Sequence, residues 1–355
     1  MTASVAQRLA RAEAPALPEG TGPLWDGRRP RTLEGWVALG REVFFGYPLR
    51  VEVFLEWALA HPGALDEAGL ERAPDGGYVG VRVFQDLDGA ARVGITCALC
   101  HTRTRGPTLV EGEARRTFDY GRLRLAYHRE TGAPVDPELA RRMATWGPGR
   151  ADVTEDDAED PVAIPDLWGL RHQSHLTQAG TIRHTGPSAL AIRQETQLLH
   201  ANHQRVRPPR ELSWALAMYL YGLAPPAAPP STATEDELAR GRAVFLRDCV
   251  GCHDNPVYGG LPVAVGRVGT HPALANGGAR GTGRYRPPAL LGLLQAGPYL
   301  HDGSVATLEE LFSAERLLAG YRLGALGPGP VPGHRWGTAL PDDERRALLA
   351  WLRTR

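Results

Sequence analysis

Every cysteine of this chain lies in one of two identical frames, residues 97–101 (CALCH) and 249–253 (CVGCH). Each frame reads C-x-x-C-H, which is the attachment pattern of c-type haem. In that arrangement the two thiols add to the haem vinyl groups as thioethers, and the neighbouring histidine binds the iron as the proximal ligand. The sequence therefore predicts two covalently bound haem c groups. The attaching and ligating residues would be Cys97, Cys100, Cys249, Cys252, His101 and His253.

Other uses of paired cysteines account for this pattern less well. Two C-x-x-C pairs could supply four zinc ligands, but zinc does not require a histidine directly after each second cysteine. A thioredoxin-type redox motif needs a βαβ context, which neither frame has. Buried structural thiols would leave the repetition of the whole frame unexplained.

The composition limits which partners the chain is expected to bind and in which cellular compartment it is expected. The chain has 355 residues with 40 basic and 40 acidic side chains, and every basic residue is arginine. A chain with no net charge and no lysine gives no sign of a basic surface that would bind nucleic acid or an anionic membrane. No apolar run reaches the roughly 18 residues needed to span a bilayer, and the N-terminus lacks the apolar stretch of a secretory signal. Because haem c is normally attached outside the bacterial cytoplasm, we expect a periplasmic or otherwise exported protein whose signal peptide is absent from this sequence.

The sequence contains two copies of one cytochrome-like unit. Residues 40–44 (GREVF) match 241–245 (GRAVF), and 210–223 match the closing apolar helix at 341–353. Residues 78–96 alternate around Asp88-Gly89 and predict a β-hairpin insertion. We expect a mainly α fold of two cytochrome c-type helical domains, each wrapping one covalent haem. The predicted boundaries are an N-terminal extension at 1–29, a first domain at 30–223, a Pro/Ala linker at 224–231 and a second domain at 232–355.

Longer segments resemble a known group. Residues 286–290 (RPPAL) and 296–311 (AGPYLHDGSVATLEEL) resemble the signature of the bacterial di-haem cytochrome c peroxidase and MauG superfamily. Three further segments are most similar to its rubber-oxygenase (RoxA-like) branch, at 43–48 (VFFGYP), 161–168 (PVAIPDLW) and 333–338 (GHRWGT). This chain is much shorter than a rubber oxygenase, so the resemblance implies a shared architecture and not a shared substrate.

The resemblance also implies a division of labour. In this superfamily the N-terminal haem is the reactive one, the C-terminal haem handles electrons, and a tryptophan relays charge between them. Trp168 is the best match to that tryptophan, with ordinary core packing as the alternative. A bound Ca²⁺ is a further candidate cofactor.

The second axial ligand of each haem sets its potential and its access to small molecules. No methionine follows Cys252, and Leu318 stands where related peroxidases often carry one, ahead of 321–324 (YRLG). A His/Met second haem is therefore excluded unless a methionine reaches across from the first domain. His334, between a Pro/Gly loop and the closing helix, is the preferred sixth ligand. The alternatives are His301 and His271.

For the first haem, the polar run that follows Trp168 corresponds to the distal pocket of the superfamily. The candidate sixth ligands are His128, His172, His175 and His184. A peroxidatic pocket needs an acid-base group and a polarising cation or amide, which His175, Gln178 and Arg183 can supply. The usual distal carboxylate is not evident, the nearest acids being Asp166 and Glu195.

The leading hypothesis is thus an oxidoreductase that activates peroxide or O₂ at the first haem, with a bis-His second haem relaying or storing electrons. Its partners would be a small-molecule oxidant and a redox protein. One alternative is an oxygenase that cleaves an apolar substrate. Another is an electron-transfer cytochrome in which both irons are six-coordinate.

Overall fold

The computed structural model describes residues 25–85, 90–152, 160–201 and 207–355. They form two compact units. The first comprises the described residues up to Ala151 together with Ile164–Leu167 and Gly186–Ala224. The second comprises Trp168–Thr185, Pro225–Arg355 and the described part of 152–163. Residues 168–185, which the sequence prediction kept in the first domain, thus group with the second unit. Most of the predicted extension at 1–29 lies outside the described residues.

Helices dominate both units, and the strands are short. The helices are α1 (Leu33–Gly46), α2 (Val53–Ala60), α3 (Pro62–Glu67), α4 (Tyr120–Thr131), α5 (Pro137–Trp146), α6 (Pro187–Ala201), α7 (Arg210–Gly222), α8 (Glu235–Asp248), α9 (Val265–Val268), α10 (Ala273–Asn276), α11 (Leu308–Leu311) and α12 (Asp342–Leu352). The strands are β1 (Arg50–Val51), β2 (Val81–Gln85), β3 (Ala91–Ile95), β4 (Thr102–Arg105), β5 (Thr108–Glu111), β6 (Arg150–Ala151), β7 (Val162–Ala163), β8 (His175–Leu176), β9 (Ile182–Arg183), β10 (Val263–Ala264) and β11 (Arg284–Tyr285). This composition confirms the mainly helical fold class.

Polar caps set the start of the long helices. Thr32 accepts a hydrogen bond from Gly35 N at the start of α1, and Thr234 accepts one from Glu237 N at the start of α8. Three acidic residues occupy the first turn of α8 and another three the first turn of α12. Acidic side chains stabilise the positive end of a helix, so these sequences favour helices that begin where they are observed.

Each unit contains the same crossing of its first and last long helices. A Cβ atom added at Gly40 in α1 would lie 2.0 Å from Ala215 O in α7. One added at Gly241 in α8 would likewise lie 2.0 Å from Ala347 O in α12. Because only glycine permits so close an approach of two helices, the repeated GR-x-V-F sequence is explained by repeated packing. The phenylalanine one turn later contacts an aromatic residue of the partner helix in both copies: Phe44–Tyr219 ring centroids lie 5.2 Å apart and Phe245–Trp351 centroids 4.7 Å apart.

The predicted hairpin in the first unit is confirmed. Strands β2 and β3 pair antiparallel from Val81↔Ile95 to Gln85↔Ala91, and β1 adds to the other side of β3. The turn between them, including Asp88-Gly89, lies outside the described residues. Val81, Val83 and Val93 point into a buried cluster with helices α2 and α3. Within the described part of the chain, no helix is both long and apolar enough to cross a membrane.

Candidate functional site

The two cysteine frames fold as tight turns that place the histidine directly after the thiols. In the first, Cys97–Leu99 forms a 3-10 turn, and His101 N donates to Cys97 O over 3.2 Å. In the second, α8 ends at Asp248, and His253 N donates to Cys249 O over 3.1 Å. All four cysteines are free of disulfides. The spacing of each motif is therefore realised as one local turn with the same backbone bond.

The His101 ring is held by a segment distant in sequence. Its Nδ1 lies 3.0 Å from Pro165 O, across 64 residues of chain. The next residue, Asp166, anchors that carbonyl by accepting bonds from Ala114 N at 2.8 Å and from Arg116 at 2.7 Å. Burial raises the pKa of Asp166, and Arg116 opposes that shift. Asp166 is thus a positioning group for the segment that holds the histidine.

His253 has the equivalent arrangement in the second unit. Its Nδ1 lies 2.6 Å from Tyr258 O. Asn255 shapes the intervening turn, because its Oδ1 accepts from Val257 N at 3.0 Å and Gly259 N at 2.7 Å. A histidine that donates Nδ1–H to a carbonyl presents its Nε2 lone pair to a metal, which is the second-shell arrangement of metal-binding histidines.

The ionisation of both histidines suits this role. Burial lowers the pKa of His101 to about 4, with the Pro165 carbonyl opposing the shift. Burial also lowers the pKa of His253. Both rings are therefore neutral near pH 7, which is the form that binds a metal.

A buried arginine beside the first motif bears on whether the residues fit a haem. Arg115 is 0% exposed, its backbone N donates to Cys100 O at 2.8 Å, and its Nη1 donates to Glu71 O at 3.1 Å. Its Nε and Nη2 atoms have no hydrogen-bond partner. A buried guanidinium with two unused donors can bind an acceptor that carries negative charge, and a haem propionate would be one. In the described residues, no three His, Cys, Asp or Glu side chains form a separate metal site, and Ca²⁺ stays a prediction.

The loop that carries His334 is fixed by a second buried arginine. Arg316, 0% exposed, donates to Leu311 O at 3.1 Å, Val331 O at 2.6 Å, Gly333 O at 2.7 Å and His334 O at 2.9 Å. The backbone of His334 is left-handed, with φ +44°, and its N donates to Val268 O at 2.8 Å. Four bonds from one guanidinium therefore impose a strained conformation on the candidate ligand.

The His334 ring itself is poised for a further bond. Its Nδ1 is buried without a hydrogen-bond partner. Burial lowers its pKa to about 4, and His253 adds an electrostatic effect of the same sign, so the two imidazoles lie within electrostatic range of each other. A neutral imidazole near His253 can act as a ligand, and the role of His334 as sixth ligand stays a prediction.

The two alternatives to His334 have other contacts. The His301 ring packs against Tyr285, with centroids 4.2 Å apart, and its carbonyl accepts from Ala163 N at 2.9 Å. His271 is exposed, and its carbonyl accepts from the Tyr285 hydroxyl at 2.7 Å. Both residues contact Tyr285, and the choice between His334 and His301 as the ligand stays a prediction.

The predicted distal residues lie in the second unit. His175, on β8, has Nδ1 3.1 Å from Ser174 Oγ, and that hydroxyl donates to Gly260 O at 3.0 Å. Gln178 Nε2 donates to Ala163 O at 3.4 Å. Burial, and then Arg183 and Arg286, lower the pKa of His175. The catalytic roles of His175 and Gln178 stay predictions.

The remaining histidine candidates mostly support loops. His128 Nδ1 lies 3.1 Å from Ala133 O at the end of α4, and His184 Nδ1 lies 2.7 Å from Gln173 O. His172 Nε2 accepts from the neighbouring Arg171 at 3.0 Å. Of these candidates, only His128 belongs to the first unit. No sixth ligand of the first haem is assigned.

Trp168 is buried where the chain passes from the first unit to the second. A Cβ atom added at Gly292, which has φ +65°, would lie 2.3 Å from the Trp168 ring, so the glycine permits the ring to pack directly on the backbone. Leu318, at the position of the expected methionine, is exposed. Sequence reasoning missed Arg115 and Arg316, and it named Asp166 as an acid near the expected distal pocket and not as a group that positions the His101 segment. The two arginines carry no local signal among 40 basic residues.

Similarity to known proteins is found among solved structures. No protein family model matches the chain, and no curated protein matches it. Among solved structures, it is similar to a MauG-like protein associated with microbial copper homeostasis, at 21% identity and a TM-score of 0.41. The match covers 59% of this chain and 77% of that one. Similarity at this level shows neither a family nor an activity for this chain.

Proposed function

We propose that this chain is a di-haem c-type oxidoreductase that reacts with a peroxide or O₂ at its first haem. The observation that carries the proposal is the repeated proximal arrangement. In both units a C-x-x-C-H turn follows or adjoins the same helix crossing, and the histidine Nδ1 lies within hydrogen-bond distance of a main-chain carbonyl. A repeated cysteine pair with a histidine held in this way is what two covalent haems require.

The residues of each unit have distinct parts in this proposal. Cys97 and Cys100 hold the first haem covalently, His101 ligates its iron, and Arg115 neutralises a propionate. Cys249 and Cys252 hold the second haem. His253 and His334 would both hold its iron, and a pair of imidazole ligands would give a low-spin, low-potential centre.

When bound, haem iron would supply a redox centre for electron exchange with a peroxide or O₂. Residues of the protein would orient the ligand, move the proton and relay electrons. Pro165 O, anchored by Asp166, orients His101 and raises its basicity as a ligand. His175 and Gln178 are the proposed groups for moving a proton and polarising the oxidant. Trp168 is the proposed relay for electrons. Attachment of haem c would place the protein in the periplasm or otherwise outside the cytoplasm.

Haem content is the first test. The intact mass of the wild type should exceed that of the polypeptide by two haems, and a Cys97→Ala/Cys100→Ala variant should carry one. The matched Cys249→Ala/Cys252→Ala variant should also carry one haem. Its absorption spectrum should be that of the haem which the first variant lacks. Two covalent haems in either double variant would contradict the assignment of the motifs.

Reactivity is the second test. The mixed-valence wild type is mixed with hydrogen peroxide while the absorption of each haem is followed, with the two cysteine variants identifying the bands. We expect CO and cyanide to bind the His101 haem first and peroxide to change its spectrum. Two permanently low-spin haems that bind neither CO nor peroxide would instead indicate an electron-transfer cytochrome. CO binding at the His253 haem alone would reverse the assigned roles.

A further inference from the structure

The aromatic residue at the helix crossing of the first unit is bonded to a carboxylate, and no such bond is seen at the matching aromatic residue among the described contacts of the second unit. Tyr219, on α7, is 4% exposed and packs on Phe44. Its hydroxyl donates to the Glu111 carboxylate. At the equivalent place in the second unit stands Trp351, packed on Phe245. The two copies thus share an aromatic residue at this point, but only the first couples it to a carboxylate.

Glu111 reaches Tyr219 because it belongs to the hairpin that follows the first cysteine frame. Strands β4 and β5 pair with Thr102 opposite Glu111, and Gly112 N donates to His101 O at 2.9 Å. The other carboxylate oxygen accepts from Arg41 Nε at 2.8 Å and Nη2 at 2.6 Å. A helix, the hairpin after His101 and the closing helix therefore meet at this carboxylate.

The electrostatics of the cluster keep the phenol protonated in the resting protein. Burial raises the pKa of Tyr219, and the hydrogen bond to Glu111 raises it further, while Arg41 opposes the shift. Cys97 adds a smaller effect that raises it, so the phenol lies within electrostatic range of the first attachment thiol. Tyr219 thus has a phenolic proton, the Glu111 carboxylate beside it to accept that proton, and a position near the attachment residue Cys97.

We propose that Tyr219 is a redox-active tyrosine that donates one electron to the first haem centre after hydrogen peroxide has oxidised it, and its phenolic proton to Glu111. The inference rests on the proposed function. The O–H bond of Tyr219 breaks and an O–H bond on the Glu111 carboxyl forms. Tyr219 becomes a neutral phenoxyl radical, and the haem centre regains one of the two electrons that reduced the peroxide to water.

The direct hydrogen bond is what makes this step feasible. A phenol that has lost an electron is a strong acid, so the electron leaves readily only if the proton leaves with it. Glu111 accepts that proton without movement of either side chain, and Arg41 holds the carboxylate in place. General-base transfer of this kind contributes roughly 10² to 10⁴ in rate.

The second crossing has the opposite character. The Arg355 guanidinium carbon lies 5.0 Å from the centroid of the Trp351 ring. A cation over an aromatic face is attracted to its electrons, so it opposes removal of an electron from Trp351. The structure therefore favours oxidation at the first crossing, beside the proposed reactive haem.

Freeze-quench EPR on the full holoprotein tests the proposal. One equivalent of hydrogen peroxide is added, the haem spectrum is recorded, and samples are frozen over milliseconds. We expect an organic radical whose signal narrows when the protein carries ring-deuterated tyrosine. Tyr219→Phe, which keeps the ring packing, should lose it. Tyr221→Phe, the same change two residues further along α7, should retain it. Glu111→Gln should slow radical formation roughly 10²-fold.

Haem content and far-UV circular dichroism establish that each variant is folded and loaded. If the haem spectrum changes in every variant but the radical is absent from the wild type or persists in Tyr219→Phe, the assignment of Tyr219 is wrong and the proposed function stands. If peroxide changes neither haem spectrum in the wild type, the proposed function is wrong. The oxidised haem that Tyr219 needs as electron acceptor is then not formed, so the proposal for Tyr219 is wrong as well.

Discussion

Replacing Arg316 with methionine tests whether one buried guanidinium holds the loop that carries His334. The variant keeps the length and apolar stem of the side chain but removes four hydrogen bonds to main-chain carbonyls. The carbonyl of His334 is part-buried, and the carbonyl of Gly333 belongs to a buried residue. Those of Leu311 and Val331 belong to buried residues.

The expected loss of stability follows from that division. Each buried carbonyl left without a partner costs about 1–3 kcal/mol. Three such carbonyls give a loss of about 3–9 kcal/mol in the free energy of unfolding. The variant no longer has to desolvate a guanidinium on folding, so we expect the lower part of that range, about 3–5 kcal/mol. Because His334 sits in the left-handed region, its loop should also relax once released.

The assays are chemical denaturation of the holoprotein and the EPR spectrum of the second haem. In Arg316→Met the low-spin signal should be partly lost, and added imidazole should bind where it does not in the wild type. Arg335→Met is the matched control, because Arg335 is exposed and lies one residue from His334. Equal unfolding midpoints for the two variants, with an unaltered low-spin signal in both, would refute this account of the loop.

Three further changes should each have a distinct effect. His334→Ala should convert the second haem to a high-spin or imidazole-binding centre, as followed by EPR; an unaltered signal would move the assignment to His301. Gly241→Ala places a Cβ 2.0 Å from a carbonyl oxygen and should lower the free energy of unfolding by about 1–3 kcal/mol. Gly222→Ala, whose Cβ meets nothing within 4 Å, is its control. Asp166→Ala should release the carbonyl that holds His101 and slow the reaction of the first haem with peroxide roughly 10- to 100-fold in stopped-flow mixing. An unchanged rate would show that Asp166 does not act through His101.

Local patterns were predictable from the sequence because their spacing is fixed by one element. The two cysteine frames form single turns, and the hairpin of β2 and β3 follows from residue alternation. The match between 40–44 and 241–245 marks two helix crossings because a glycine and a phenylalanine one turn apart share a helix face. In each case, the residues that matter lie within a few positions of one another.

Groups that support these motifs were not predictable in the same way. The carbonyl that accepts from His101 is 64 residues away, and the carboxylate that accepts from Tyr219 is 108 residues away. Arg316 cannot be told from the other arginines until the loop around it is folded. Such pairs depend on tertiary packing, which leaves no periodic trace in a single sequence. The sequence therefore identifies what can bind a haem better than what tunes it.

That distinction bears on how two similar haem sites would acquire different chemistry. Their proximal sides are nearly equivalent, since each histidine is partly buried, neutral and placed to donate through Nδ1 to a carbonyl. A difference in reactivity must then arise elsewhere. In the second unit, His334 lies within electrostatic range of His253, and the Arg355 guanidinium lies over the Trp351 ring. In the first, the matching aromatic is Tyr219, bonded to a carboxylate. Both differences favour stable electron storage in the second unit and proton-coupled oxidation in the first.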